Sequence, residues 1–168
     1  HNYDLRANEI FEKGLVEVDG LTENQIQDIH KYLKDKQVYN AHVPFGKDGI
    51  LRDLEESMSK DPFNCYDLKD VLQCPHLLEL VTSKEMIDLA ASYLGVPPTL
   101  YSMNMWWSSP GHFAQGTQSY HRDVDDFKFL AFIVYLVDID ETNGPHSFIE
   151  YTHDQKVFEE KTQKLVLL

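Results

Sequence analysis

The amino-acid sequence predicts an α+β domain, in which helices cover one face of a mainly antiparallel sheet or sandwich. Two segments of the first half carry helix-capping motifs followed by apolar residues at helical spacing, whereas from Thr99 onward the apolar residues alternate with a period of two. The 168 residues, 42% of them hydrophobic, suffice for one core. We therefore expect a single domain over 1–168, with a helical part at 1–98 and a β part at 99–168.

Capping boxes mark the two helices that the sequence predicts most clearly. Residues Thr22 to Gln25 place a threonine three residues before a glutamine, so that each side chain can bond the backbone N–H of the other. The apolar stripe behind this box predicts a helix over 22–36. Residues Thr82 to Glu85 repeat the motif, and a second stripe predicts a helix over 83–94 that ends at Gly95.

The second half reads as a succession of short strands. Alternation predicts strands at 99–107 and 118–124. Residues 127–137 are apolar on both faces and rich in β-branched and aromatic side chains, which predicts a central strand covered on both sides. The dipeptide Asn143-Gly144 predicts a turn, and 147–151 predicts a fourth strand.

Charge and composition exclude several classes of function. The formal net charge is −13, so phosphate backbones and anionic lipids repel the chain, and we expect neither nucleic-acid nor membrane binding. The longest apolar run, Phe129 to Val137, is far shorter than a membrane span. The first twenty residues carry charges throughout, which argues against a signal peptide. Cys65 and Cys74 suggest no disulfide framework, and we expect two reduced cysteines in a cytoplasmic protein.

One short motif carries candidate chemistry. On a strand, residues i and i+2 point to the same face, so His121 and Asp123 would present an imidazole beside a carboxylate, with Arg122 facing away. These are two of the three ligands in the two-histidine, one-carboxylate site of non-haem Fe(II) oxygenases. From the tripeptide alone, a solvated strand that carries an ordinary His–Asp hydrogen bond is the more common case.

The surroundings of this motif resemble the phytanoyl-CoA dioxygenase family of Fe(II)- and 2-oxoglutarate-dependent oxygenases. The similarity lies in the stretch Tyr120 to Leu130 and in Ile133 to Pro145, where an apolar segment leads to a D-x-x-x-x-N-G-P turn. A "G-T-H"-like element follows at Tyr151 to His153. The resemblance implies a double-stranded β-helix, a cupin-like jelly-roll barrel with the N-terminal helices packed outside, and Fe(II) bound by His121 and Asp123.

The resemblance also implies a reaction. 2-Oxoglutarate would be the co-substrate, and the enzyme would use O₂ to hydroxylate a small organic molecule. The sequence carries no signature of the identity of that molecule or of the oligomeric state of the enzyme. An aspartate at 123 points to hydroxylation, because related halogenases carry a small residue there. Asn104, on the predicted strand 99–107, and Gln118, three residues before His121, occupy places where the family contacts 2-oxoglutarate.

The family pattern has two further elements after the "G-T-H" position, a second histidine ligand and an arginine that binds 2-oxoglutarate. Residues 154–168 contain neither histidine nor arginine, so the resemblance predicts that this chain forms an incomplete jelly roll and binds Fe(II) and 2-oxoglutarate weakly. Two alternatives stay open. One is a cupin-like zinc or other metal protein that uses His121, Asp123 and His146, and the other is an inactive jelly-roll binding module without a metal.

Overall fold

The computed structural model describes residues 2–40, 51–109, 119–123 and 126–165. Within these ranges the chain forms seven helices and four strands. In chain order they are α1 (Asn2–Lys13), α2 (Glu23–Leu33), β1 (Gln37–Asn40), β2 (Arg52–Asp53), α3 (Leu54–Met58), β3 (Phe63–Tyr66), α4 (Leu68–Gln73), α5 (Leu77–Val81), α6 (Lys84–Leu94), β4 (Trp106–Ser108) and α7 (Gln155–Leu165).

The four strands form one open sheet in the order β2-β1-β3-β4, with every neighbouring pair antiparallel. Val38 of β1 lies opposite Tyr66 of β3, and Asn64 of β3 lies opposite Trp107 of β4. The mixture of helices with an antiparallel sheet agrees with the α+β prediction. Three of the four strands precede residue 99, so the observed order of elements differs from helices first and strands afterwards.

Both predicted helices are present with their caps. At α2, the Thr22 side chain accepts a bond from the Gln25 N–H, and the Gln25 side chain accepts one from the Thr22 N–H at 2.9 Å. At α6 the cap is Ser83, one residue later than the capping box predicted, and its hydroxyl accepts from the Met86 N–H at 3.3 Å. Gly95 ends α6 with a φ of 82°, a conformation that favours glycine.

Most predicted strands of the second half are wrong in the part of the chain that the structure describes. Residues 127–137 and 147–151 form no strand, nor do the described residues of 118–124. The predicted strand 99–107 is reduced to β4 at its end. A strand exists only where a neighbour pairs with its backbone, and a period-two pattern does not specify that neighbour.

The prediction of a covered central strand at 127–137 is wrong for the same reason. Leu130 and Phe132 are half-buried and pack on the helices, but Ile133, Tyr135 and Val137 are exposed. The apolar run is therefore a half-buried covering segment rather than the middle of a sheet.

Two apolar cores hold the elements together. The first lies between the sheet and the helices α2, α4 and α5, and it is built from Ile29, Leu33, Val38, Tyr66, Val71, Cys74, Leu77 and Met105. The second lies between α1 and α6, and its buried members are Ala7, Ile10 and Leu89. The segment after residue 129 touches both cores, because Leu130 and Phe132 pack on the second and Leu136 packs on the first.

Both cysteines belong to this packed region. Cys74 is buried, Cys65 is half-buried, and both are free thiols. Burial raises the pKa of each thiol to about 11, so both remain protonated at neutral pH. Among the described helices, none has the length and apolar character needed to cross a membrane.

A buried polar network ties β3 to its surroundings. Asn64 is fully buried; its side-chain oxygen accepts a hydrogen bond from the Ser57 hydroxyl, and its amide N–H₂ donates to the Ser109 hydroxyl at 2.9 Å and to the Asp61 carbonyl at 3.1 Å. Ser57 and Ser109 are buried as well. Removing the amide would leave buried hydroxyl groups without partners, which is costly.

We expect Asn64→Ala to lower the free energy of unfolding by about 2–4 kcal/mol, since several buried hydrogen-bonding groups lose their partner at once. Asn104→Ala is the matched control, because Asn104 is exposed and bonds only the Ser102 hydroxyl at 3.1 Å. Its effect should stay within about 0.5 kcal/mol. Urea unfolding followed by circular dichroism measures both. Equal losses for the two variants would contradict the assignment of Asn64 as a structural centre.

Candidate metal-binding site

The structure brings His121 and Asp123 together. Their backbone is irregular rather than a strand, yet the side chains meet, with His121 Nε2 3.1 Å from Asp123 Oδ1. The side chains are 38% and 53% exposed, so the pair lies at the surface. An ion pair this exposed stabilises a fold by only ~0–1 kcal/mol, and stability alone gives little reason for it.

The other nitrogen of the His121 ring is also engaged. Nδ1 lies 2.8 Å from the carbonyl oxygen of Ser119, which can only accept a hydrogen bond. A neutral imidazole has one N–H, and donation to Ser119 leaves a lone pair on Nε2. That lone pair faces a carboxylate oxygen, so the contact is favourable only when a proton or another cation lies between Nε2 and Asp123.

This arrangement fits two ligands of a metal ion. Two ligand atoms about 2.1 Å from one metal, at a right angle to each other, lie about 3.0 Å apart, close to the separation of Nε2 and Oδ1. A second-shell hydrogen bond from the far ring nitrogen to a backbone carbonyl is the usual way in which proteins fix the tautomer of a metal-binding histidine. The carbonyl of Ser119 supplies that bond.

Arg122 lies between the two candidate ligands in the chain, and its contacts are with residues of another segment. Its guanidinium donates to the Gln155 side chain and, at 3.4 Å, to the His153 carbonyl, and it lies 5.2 Å from the centre of the Phe158 ring. These partners belong to the start of α7 and the turn before it. Arg122 thus fastens the pair to the rest of the fold.

Asp154 caps the N-terminus of α7, the helix whose first residue, Gln155, accepts a hydrogen bond from Arg122. Its carboxylate accepts from the N–H groups of Lys156 at 2.8 Å and Val157 at 3.1 Å, as a helix N-cap does. These two bonds hold the pKa of Asp154 below its ordinary value. A lowered carboxyl pKa means that this contribution to stability is present above the unfolded-state pKa and is lost as the pH falls through the folded-state pKa.

The turn before α7 is anchored on the carboxyl end of α1. His153 Nε2 donates to the Phe11 carbonyl at 2.9 Å, and the Tyr151 N–H donates to the Lys13 carbonyl at 2.7 Å. Helix ends leave such carbonyls without helical partners, so these bonds satisfy groups of α1 that need a donor. Gly14 ends the helix at a φ of 92°, and a β-carbon there would lie 2.6 Å from His153 Nδ1.

A lysine holds the segment that follows the pair. Lys128 donates to the Tyr93 carbonyl at the end of α6, and its ammonium lies 4.7 Å from the centre of the Phe11 ring and 4.6 Å from that of Tyr93. The two rings are themselves 4.9 Å apart. Cation–π contacts with both rings therefore attach residue 128 to α1 and α6.

The remaining predicted site residues stand apart from the pair or outside the described chain. Asn104 is exposed and bonds Ser102, and no described contact joins it to His121 or Asp123. Gln118 lies outside the described residues. The N–H of His146 donates to the Tyr135 hydroxyl at 2.8 Å. Across the described ranges, no three His, Cys, Asp or Glu side chains are grouped as metal ligands would be, so His146 is not assembled with the pair.

The sequence did not indicate the groups that position the pair. The Ser119 carbonyl is a backbone atom and has no signature in side-chain patterns. The partners of Arg122 and of His153 lie 31 or more residues away in the chain. Gly14, directly after an amphipathic helix, was the one available signal of a helix end against which another segment could pack.

Comparison with known proteins gives no assignment. No protein-family model matches the chain, and no curated protein and no solved structure is significantly similar to it.

We predict that Gly14→Ala loosens the turn at 150–154, because the added methyl group has to displace the His153 ring. Gly95→Ala is the control for backbone strain: its φ is 82°, but a β-carbon there meets nothing within 4 Å. A positive φ alone costs an alanine ~1–2 kcal/mol, and Gly14→Ala should cost at least ~1 kcal/mol more than Gly95→Ala.

Gly20→Ala serves as the second control, since, apart from Gly20 itself and its neighbours in the chain, no described atom lies within 4 Å of its β-carbon position. Its unfolding free energy should change by less than about 0.5 kcal/mol. Chemical denaturation compares the three variants, and amide exchange shows where each one opens. Equal losses at Gly14 and Gly95, with unchanged protection of the Tyr151 amide, would refute the anchor at the end of α1.

Proposed function

We propose that the chain belongs to an Fe(II)- and 2-oxoglutarate-dependent dioxygenase of the phytanoyl-CoA dioxygenase type, and that His121 and Asp123 are two of its metal ligands. The observation that supports this most directly is the approach of His121 Nε2 to within 3.1 Å of Asp123 Oδ1 while Nδ1 is bonded to the Ser119 carbonyl. The similarity of residues 120–153 to the family supports the choice of iron and of 2-oxoglutarate.

Each residue of the pair has a defined task in this proposal. Asp123 supplies a negative charge and an oxygen ligand, and His121 supplies a neutral nitrogen ligand through Nε2. The Ser119 carbonyl sets the tautomer of His121, and Arg122 holds the backbone between the two ligands in place. Iron, when bound, would supply activation of O₂ and the oxidative decarboxylation of 2-oxoglutarate that drives hydroxylation of a small organic substrate.

The remaining expectations of the family belong to the same proposal. Asn104 and Gln118 are proposed contacts of 2-oxoglutarate, and the double-stranded β-helix would require strands beyond the four of the described sheet. A cytoplasmic location is part of the proposal as well, and the free thiols of Cys65 and Cys74 are in keeping with it.

Titration with Mn(II), a redox-stable substitute for Fe(II), tests the metal ligands directly. We expect His121→Ala and Asp123→Ala each to weaken Mn(II) binding by about tenfold or more, because each removes one ligand atom. His76→Asn is the matched control. His76 Nε2 lies 3.0 Å from Asp28 Oδ2, so it forms a second His–Asp pair that we do not assign to a metal, and asparagine tolerates the left-handed backbone at 76.

Calorimetry at low ionic strength gives the affinities, with circular dichroism as the check on folding. Binding that survives in both site variants, or that His76→Asn weakens equally, would contradict the assignment. A separate titration with 2-oxoglutarate should show binding only in the metal-loaded protein. Tight Zn(II) binding without any effect of 2-oxoglutarate would favour the cupin-like zinc protein, and no metal binding would favour the metal-free binding module.

A further inference from the structure

The backbone of the segment 129–137 is not paired with any other backbone segment in the part of the chain that the structure describes. Between Phe129 and Val137, none of the N–H or C=O groups bonds another backbone group of the described chain. Among the described contacts of this backbone, the Leu136 carbonyl is the one group with a hydrogen bond, which it accepts from His30 Nε2 at 2.6 Å. Unpaired backbone of this kind is the template on which a further strand can form.

The side chains of the segment are divided between two faces. Leu130, Phe132 and Leu136 pack on the two cores and fix the segment in place. Ile133, Val134, Tyr135 and Val137 are exposed, as is Phe127 just before them. A β-branched, aromatic and uncharged stretch that presents both free backbone and an apolar face fits an added strand better than it fits a helix.

Carboxylates flank this apolar stretch on both sides. Asp126 precedes it, and Asp138, Asp140 and Glu141 follow it, all of them exposed. The bonds that Asp140 accepts from Thr142 hold its pKa below the ordinary value, so it is charged at neutral pH. Lys128, the one cation within 126–141, is already held by the Tyr93 carbonyl and two aromatic rings.

The charges decide which partner fits. In an antiparallel pair with a second copy, Asp126 of one chain would approach Asp138 and Asp140 of the other, and the repulsion would oppose the pairing. The whole chain, with its net charge of −13, adds to that repulsion. A strand that carries lysine or arginine at its ends would meet attraction at both ends instead.

We infer that residues 129–137 are a docking strand for an extended peptide segment that has alternating apolar side chains and basic residues at both ends. Main-chain hydrogen bonds to the N–H and C=O groups that have no partner among the described residues would supply the affinity, and the flanking carboxylates would select the charge of the partner. The inference does not depend on the assignment of the metal ligands. Either of the two proposals holds if the other is refuted.

A labelled synthetic peptide tests this surface. The probe alternates threonine and valine and carries two lysines at each end; the comparison peptide carries glutamates in place of the lysines. With the full chain, fluorescence anisotropy should show binding of the lysine peptide that weakens with added salt, and at least about tenfold weaker binding of the glutamate peptide. Hydrogen exchange should show protection of amides within 131–137 when the lysine peptide is added.

A matched pair of variants distinguishes binding at the docking strand from nonspecific binding to exposed apolar side chains. Ile133→Asn removes an exposed apolar side chain from the segment, and Leu100→Asn removes one of equal exposure elsewhere, 53% against 52%. Only Ile133→Asn should weaken peptide binding, by about threefold or more, since asparagine is poorly suited to a strand. Unchanged circular dichroism establishes that both variants fold.

Several results would overturn the inference. They are equal binding of the two peptides, no binding of either one, protection outside 129–137, or equal effects of the two variants. Sedimentation of the free protein as a dimer, with protection at 131–137 in the absence of peptide, would identify a second copy as the occupant and refute the argument from charge.

Discussion

The contact between the carboxyl end of α1 and the turn at 150–154 is the constraint on which the candidate site depends. The Phe11 and Lys13 carbonyls need donors because they end a helix, and they receive them from His153 and the Tyr151 N–H. The close approach is possible because residue 14 is a glycine. From this turn Asp154 starts α7, and α7 with the turn provides the partners of Arg122, which lies between His121 and Asp123. The second half of the chain contributes a single strand to the described sheet, so a few directed bonds replace a sheet in positioning the pair.

The contact of His153 with α1 also has an unfavourable consequence for the other nitrogen of its ring. His153 Nε2 donates to Phe11, so Nδ1 is left as an acceptor, and it is buried without a partner among the described groups. At the candidate site the conflict is of another kind, because His121 has two acceptors around a ring that carries one hydrogen when neutral. A cation at Nε2 resolves that conflict and joins Asp123 to the same centre. In the proposed site, a cation bound between Nε2 and Asp123 would supply the attraction that holds the pair together, since an ion pair this exposed contributes little to the stability of a fold.

The features that could be predicted from the sequence are those that depend on residues close together in the chain. The helices α2 and α6 were predictable because a capping box and an apolar stripe lie within a dozen residues. Both predictions are confirmed, except that α2 ends at Leu33 rather than at residue 36 and the cap of α6 is Ser83, one residue later than predicted. The strands were not, because the pairing of Val38 with Tyr66 or of Asn64 with Trp107 depends on distant segments. The apolar run at 127–137 predicts a buried strand, although only Leu130, Phe132 and Leu136 of its side chains pack on the two cores. The sequence predicts that His121 and Asp123 meet because they are spaced i, i+2 on a strand, yet in the structure the two side chains meet on an irregular backbone. The contacts that hold Arg122 and His153 come from residues far along the chain.

The central proposal is that His121 Nε2 and Asp123 hold one cation between them. Nuclear magnetic resonance of protein labelled with ¹⁵N and ¹³C tests it most directly, by following histidine ring nitrogens and side-chain carboxyl carbons during substoichiometric addition of Mn(II). We expect selective broadening of the resonances of the His121 ring and the Asp123 carboxyl, with Nε2 affected before Nδ1. The resonances of the His76 and His153 rings should stay sharp. Broadening of His76 and Asp28 to the same extent, or of His121 through Nδ1, would contradict it.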